Sequence, residues 1–295
     1  MTSGTYLVAY SADSGGRSAL ALGRMFAAAG GVRLVVCTIV PTTWGYPSLA
    51  RVDAEYAAFL NSFAQQALDE AKAALGDGVA AEYRARAAGS PTEGILELVD
   101  EVGADMVVLG SSREGPIGRF AVGSVANSLL HSAPVPVALT PRGYRPSRRA
   151  QLRRVTCGYV GTPHSAVTLR AAAELAKRHN VPLRVITAVV RDRQMYPPLV
   201  GWQSERMVEE QWRAQARAAQ QRALSELPEG TEATAEIVEG SSWDDALDST
   251  DWEDAEVLVI GSSRLGVGAR IFLGSNASKI VRSSPVPVVV VPGAE

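Results

Sequence analysis

Cysteine is scarce in this chain. The 295 residues carry two, Cys37 and Cys157. No CxxC pair exists, so neither a dithiol redox centre nor a cysteine zinc site fits. Each thiol lies in an apolar, strand-like run that suits a buried, reduced side chain. Histidine is nearly as scarce, with His131, His164 and His179. There is no HExxH and no spacing that sets a nucleophile beside a base, so neither a metal site nor a hydrolytic triad is expected. His179 closes a helix, where a cation suits the dipole. A Walker-type GxxxxGK[ST] loop is missing too. No apolar run approaches the roughly 20 residues that cross a bilayer, and the N-terminus enters a strand at once, without a basic leader. A cytoplasmic protein is the expectation. Charge is almost balanced, 29 basic against 31 acidic residues for a formal −2, which gives no global argument for nucleic acid or a membrane surface.

What the chain does have is a duplication. Gly110 to Pro141 reads GSSREGPIGRFAVGSVANSLLHSAPVPVALTP, and Gly261 to Pro292 reads GSSRLGVGARIFLGSNASKIVRSSPVPVVVVP. Aligned without a gap, 15 of the 32 positions are identical, at an offset of 151 residues (261 minus 110). Such a repeat decides the architecture before any local reading does. Each copy begins as an apolar run that stops at glycine (Met106–Gly110 and Val257–Gly261), the pattern of a buried strand. A glycine-bearing loop follows, then Gly-Ser and a helical stretch from Ser124 or Ser275. Serine there is a good N-cap. A loop that leads from a strand into a helix N-terminus offers free N–H groups and partial positive charge, a fit for an anion such as phosphate.

The rest of each half alternates strand and helix. Residues 5–10 read as a strand, with Asp13 and Ser14 placed to cap the helix from Arg17. Val32–Val40 is a near-continuous apolar strand. Val52, Tyr56, Phe59, Phe63, Ala67 and Ala71 recur at helical spacing, with Gly76 at the stop. Residues 79–88 read as a strand, Ser90–Val102 as a capped helix, and Asp105–Leu109 as a strand. The second half runs the same course from Val155. Trp212, at helical spacing, reads as core or interface, and Trp243 stands at the start of the third helix of that half. Five strands alternating with helices in each half imply right-handed crossovers and a five-stranded parallel sheet covered on both faces. The expected fold is α/β, two tandem Rossmann-like domains, residues 1–141 and 154–295. The joint, 142–153, is rich in arginine and reads as a solvated linker.

These features together resemble the universal stress protein family in its two-domain form. The duplication, the order of elements and the strand-Gly-loop-Gly-Ser-helix-Pro-Val-Pro-Val ending carry the likeness over essentially the whole chain. The resemblance implies domains of the adenine nucleotide alpha-hydrolase-like kind, packed as an internal pseudo-dimer through Val135–Thr140 and Val286–Val291. It also implies ATP or AMP as ligand, homo-oligomerisation, and no metal site of the protein's own. Binding members carry Gly, two residues, Gly, nine residues, Gly, then Ser or Thr. Here the outer glycines are Gly110 and Gly123, and Gly261 and Gly274, while Arg113 and Arg264 replace the middle one. Such members also carry an Asp after strand one, where this chain has Ser11 and Val160, with Asp13 close to the first. The candidate nucleotide residues implied are Ser11, Asp13, Ile39, Gly110, Ser111, Arg113, Gly123 and Ser124, with Gly261, Ser262, Arg264, Gly274 and Ser275 in the second half.

Two readings of the arginines stay open. A guanidinium can replace backbone contacts to phosphate with bidentate hydrogen bonds. It can equally fill the space that glycine leaves for the phosphate. The first favours a nucleotide-binding signalling module for stress response, the second a nucleotide-independent scaffold of the same fold. Ser14-Gly15-Gly16-Arg17-Ser18 resembles the pyrophosphate loop of adenylating enzymes, but the Asp of that loop is missing, and an enzyme is not the expectation.

Overall fold

The computed structural model describes residues 4–29, 31–42, 52–112, 116–190, 202–264, 271–272 and 274–293. The chain divides into two compact units, Met1–Gln151 and Leu152–Glu295. The first contains β1 (Gly4–Ala9), α1 (Ser14–Ala27), β2 (Val32–Pro41), α2 (Val52–Leu75), β3 (Ala81–Ala88), α3 (Pro91–Val102), β4 (Met106–Leu109), α4 (Ser124–Ser132) and β5 (Val137–Leu139). The second contains β6 (Arg154–Gly158), α5 (Pro163–His179), β7 (Leu183–Val190), α6 (Trp202–Ser225), β8 (Ala233–Gly240), α7 (Trp243–Asp248), β9 (Glu256–Gly261), α8 (Ser275–Ser283) and β12 (Val288–Val291). Between β9 and α8 lie β10 (Ser263–Arg264) and β11 (Ile271–Phe272), a small antiparallel pair. The sequence pattern shows only a loop there, because two-residue strands have no periodicity to read.

Within the first unit the strand order is β3-β2-β1-β4-β5, all parallel; the second repeats it as β8-β7-β6-β9-β12. The α/β, Rossmann-like reading therefore holds in both halves. Helices α1 and α2 pack on each other and on the sheet, as do α3 and α4. Covered on both faces, the central strands need no polar side: Leu7, Val8, Val35, Val107 and Val108 are wholly buried. Tyr6 and Phe26 meet edge to face with centroids 5.5 Å apart. The duplication extends to single bonds. The Thr38 hydroxyl donates to the Tyr10 carbonyl at 3.1 Å, and that of Thr187 to the Tyr159 carbonyl at 2.9 Å.

Several local expectations change. In α2 the buried stripe is Ala64, Ala67, Leu68, Ala71 and Leu75, whereas Tyr56, Phe59 and Phe63 are 43%, 64% and 51% exposed. A 24-residue helix is about 36 Å long, while the eight residues of β3 span about 26 Å. The N-terminal turns of α2 therefore overrun the sheet, and among the described residues these side chains stay exposed. Ser124 and Ser275 are the first residues of their helices, and the caps are Gly123 and Gly274, with no side-chain capping bond. Trp243 is likewise inside α7, which Ser242 caps by accepting from the Asp245 N–H at 3.2 Å.

His179 is the other correction. It is 5% exposed, and burial, with Arg178 beside it, lowers its pKa to about 4. Desolvation outweighs the helix dipole, so the ring is neutral. Both cysteines are buried, and burial alone pushes each thiol up to about 12. The arginine-rich joint is partly tied down. The Tyr144 hydroxyl reaches the Met25 sulfur at 3.3 Å, and Arg142 accepts from the Gly118 N–H at 2.9 Å, while Arg145, Arg148 and Arg149 are exposed.

The arginine at the start of β6 belongs to a buried network. Arg154 donates to Glu256 at 2.7 Å, and Arg184 donates to the same carboxylate at 2.8 Å. Glu256 also accepts from the Glu253 N–H at 2.9 Å and from Thr156. Arg184 lies 5.0 Å from the centre of the Trp252 ring.

Candidate functional site

In an open parallel sheet the strand order reverses where the first strand has neighbours on both sides. Loops leaving the strands' carboxyl ends part there and leave a crevice. In the first domain that point lies between β1 and β4, and a cavity of about 340 Å³ opens there. Ser11 and Asp13 enter it from the end of β1, Ile39 from β2, Gly110 and Ser111 from β4, and Gly123 and Ser124 from the start of α4. Among the described residues, every first-half candidate lines this one cavity. Arg113 lies outside the described residues.

The roles of these residues are not uniform. Gly123 caps α4 with no side-chain oxygen in the way, so its first-turn N–H groups face the cavity mouth beside an exposed Ser124. Ser111 is buried, and its hydroxyl donates to the Thr140 carbonyl at 2.6 Å, which ties the loop to β5. Asp13 is the N-cap of α1, with its carboxylate accepting from the Gly16 N–H at 2.8 Å. Its negative charge is thereby held at the rim.

Gly15 and Gly16 also line the cavity, and their role is not evident from the SGGRS spacing alone. A Cβ on Gly110 would stand 2.0 Å from the Gly15 carbonyl oxygen, and one on Gly16 equally close to that of Ser11. These glycines let the end of β1, the start of α1 and the end of β4 converge. The paired glycine in the first turn of a helix is the signal for them.

The second domain holds a cavity of about 300 Å³ in the equivalent place, lined by Gly261, Ser262, Gly274 and Ser275. Ser262 again ties the loop to the last strand, donating to the Val291 carbonyl at 3.1 Å and accepting from the Gly293 N–H at 3.2 Å. Of Arg264 the structure describes the backbone, which pairs with Ile271 beside this loop. Other walls differ. Where the first domain has Ser11 and Asp13, the second has Val160, 63% exposed, and Thr162, which forms a capping box with Ser165. Pro163 and His164 stand where Ser14 and Gly15 stand in the first. Trp243, Leu247 and Ile280 make this cavity more apolar.

Among the described residues no group of three or more His, Cys, Asp or Glu is placed to hold a metal, and no helix is long and apolar enough to cross a membrane.

Two doubly wound domains in tandem, each with a crevice at its switch point bordered by a glycine loop and a helix start without a side-chain cap, define the class: a tandem Rossmann-like α/β protein. The chain belongs to the universal stress protein family: the family profile matches twice, over residues 4–141 and 151–292. A universal stress protein of Mycobacterium tuberculosis H37Rv is 44% identical over 292 residues, 98% of this chain and 100% of that one. Among solved structures, a universal stress protein from Archaeoglobus fulgidus superposes with TM-score 0.63 at 20% identity, covering 99% of each chain. A universal stress protein from Pseudomonas aeruginosa gives 0.55 at 19%, covering 98% of this chain and 93% of that one. Both likenesses show the fold.

Proposed function

We propose that this tandem universal stress protein is a cytoplasmic binding and signalling module for stress response, not an enzyme, and that it takes ATP or AMP in its first domain. The observation that carries this is convergence. Ser11, Asp13, Ile39, Gly110, Ser111, Gly123 and Ser124 line one cavity of about 340 Å³ at the β1/β4 switch point, within the size range of small-molecule sites. In this reading the phosphates lie over the uncapped start of α4, and the nucleoside lies between Ile39 and the end of β1. Ser111 acts by holding the loop in shape. Among the described lining residues no nucleophile is paired with a base.

The second-domain residues Gly261, Ser262, Gly274 and Ser275 line a counterpart with Val160 after β6 in place of Ser11 after β1, and we assign it, and Arg264 in the same loop, no adenine nucleotide. The tandem family match supports an internal pseudo-dimer of the two domains. Sedimentation as a single chain fits that arrangement, and a stable dimer would add homo-oligomerisation.

Calorimetric titration of ATP and AMP into nucleotide-free protein tests the ligand, together with chromatography of what the purified protein releases on heating. About one nucleotide per chain is expected. No released nucleotide and no heat would leave the scaffold reading, which the arginine in each glycine motif favours.

A further inference from the structure

The crevice of the second domain is more than a weakened copy of the first. Its floor is apolar: Ile186, Leu247, Leu258 and Ile260 line it, and none is more than 4% exposed. Trp243 and Ile280 add to the walls. Among the described residues no Asp, Glu, Lys or Arg lines the cavity. Its buried hydroxyls are already used. That of Thr168 donates to the His164 carbonyl at 3.1 Å. That of Ser165 accepts from the Val160 N–H at 3.3 Å and bonds the Thr162 hydroxyl at 3.0 Å. Ser262 is tied to Val291 and Gly293. The other polar side chains of the lining, His164, Ser275 and Asn276, are exposed.

Matching the two halves shows where this character comes from. The paired hydroxyls Thr38 and Thr187 set an offset of 149 for the strands (187 minus 38), which places Ala188 on Ile39, Val160 on Ser11 and Thr162 on Asp13. The caps Ser90 and Ser242 set an offset of 152 for α3 and α7 (242 minus 90), which places Trp243 on Pro91. Each of these eight residues except the two caps and the paired threonines lines its own cavity. At one side a hydroxyl and a carboxylate give way to an aliphatic side chain and a threonine held in its own capping box. At the other, bulk changes hands: isoleucine on the strand shrinks to alanine, and proline on the helix grows to an indole. Room is freed over the end of β7, and an aromatic side chain borders it.

We propose that this crevice binds a small uncharged aromatic molecule, about two fused rings in size. An apolar cavity of about 150 Å³ takes one benzene ring, so a volume of about 300 Å³ takes two. The indole of Trp243 supplies an aromatic partner for the ring, and the aliphatic floor strips it of water. A full charge entering the same space would also lose its water. The partial charge at the start of α8 is too small to offset that cost. The assignment rests on the walls of the second domain and not on adenine nucleotide binding in the first.

The test uses the full-length protein and 2-naphthol, uncharged at neutral pH, with 2-naphthoate as the charged arm. Titration is followed by calorimetry and by tryptophan emission. One saturable site per chain is expected for 2-naphthol, with 2-naphthoate at least tenfold weaker. Ala188→Phe fills the room over β7 and is expected to weaken 2-naphthol at least tenfold. Trp243→Pro restores the residue of the first domain. Proline suits the first helical position, and Ser242 before it is already extended, with φ −149° and ψ 171°, so the fold should hold. This variant too is expected to lose at least tenfold in affinity, and melting curves show that each variant is folded. Saturating AMP is expected to leave the 2-naphthol affinity within twofold. No saturable binding of 2-naphthol up to millimolar concentration overturns the proposal. So does 2-naphthoate that binds as well, displacement by AMP, or indifference to Ala188→Phe or to Trp243→Pro in a folded variant. Binding of AMP itself is read on the same sample and bears only on the first domain.

Discussion

Two side chains of the second domain carry electrostatic terms large enough to measure singly. His179 is buried and held neutral, its pKa lowered to about 4 from the ordinary 6.5. The unfolded chain therefore binds a proton that the folded chain refuses between those values. The stability this contributes is complete above about pH 6.5, falls as the pH drops, and is gone by about pH 4, a loss of about 3 kcal/mol. His179→Gln removes that component. Urea unfolding of wild type and variant at pH 7 and pH 4 should show the gap between them shrinking, or reversing, by about that amount. A gap independent of pH would mean that the ring titrates in the fold as it does in the unfolded chain.

Glu256 is the second case. It is wholly buried between Arg154 and Arg184. Glu256→Gln leaves two guanidinium groups facing a neutral amide at the N-terminal edge of the sheet, and should cost about 3–5 kcal/mol. The repeat supplies the control. Asp105, at the equivalent place before β4, is exposed and accepts from the Thr5 N–H at 2.7 Å. Asp105→Asn should cost about 1 kcal/mol. Denaturant midpoints of the two variants, converted with a common m-value, decide this, and equal losses would contradict the network.

At the scale of elements, α2 separates what periodicity says from what burial says. Its aromatic residues keep helical spacing right across the boundary where the sheet ends, so a pattern of side chains alone cannot tell Phe59 from Leu68. Exposure does. Phe59→Ser should change stability by no more than about 0.5 kcal/mol, whereas Leu68→Ala, 4% exposed, should cost about 2–4 kcal/mol. Thermal melts of the pair check this. A large loss at Phe59 would show that its face is covered in solution.

The strands, their parallel order and most helix ends were legible, because β-branched runs, Asp13, Ser90 and Gly76 each act locally. The polarity of His179 and the network around Glu256 were not. They depend on which residues share an edge of the sheet, a fact that only the crossovers decide. Of the site, the glycines and serines of the repeated loops could be read directly. Gly15 and Gly16 could not, since their part depends on β4 as well as on their own helix.

For the molecule as a whole, duplication supplied two copies of one switch-point crevice, and the copies have diverged in the chemistry of their walls. The first keeps Asp13 at the rim, and Gly15 and Gly16 bring the start of α1 close to the end of β4. The second has Val160, His164 and Trp243. Two equal sites would give two equal stoichiometric steps with one ligand. Two diverged sites give one step with that ligand. The expected outcome is therefore a single adenine nucleotide per chain, removed by a substitution in the first domain and untouched by its counterpart in the second. Gly110→Ala puts a methyl group 2.0 Å from the Gly15 carbonyl, against rigid backbone, and should abolish that binding while lowering stability by about 1–3 kcal/mol. Gly261→Ala meets the Thr168 side chain instead, and nucleotide affinity should be unchanged within twofold. Calorimetry on both variants, each first shown to be folded by its melting curve, distinguishes the cases. Loss of nucleotide binding in the Gly261 variant alone would move the site to the second domain, and partial loss in each would mean that the two crevices still act as a matched pair.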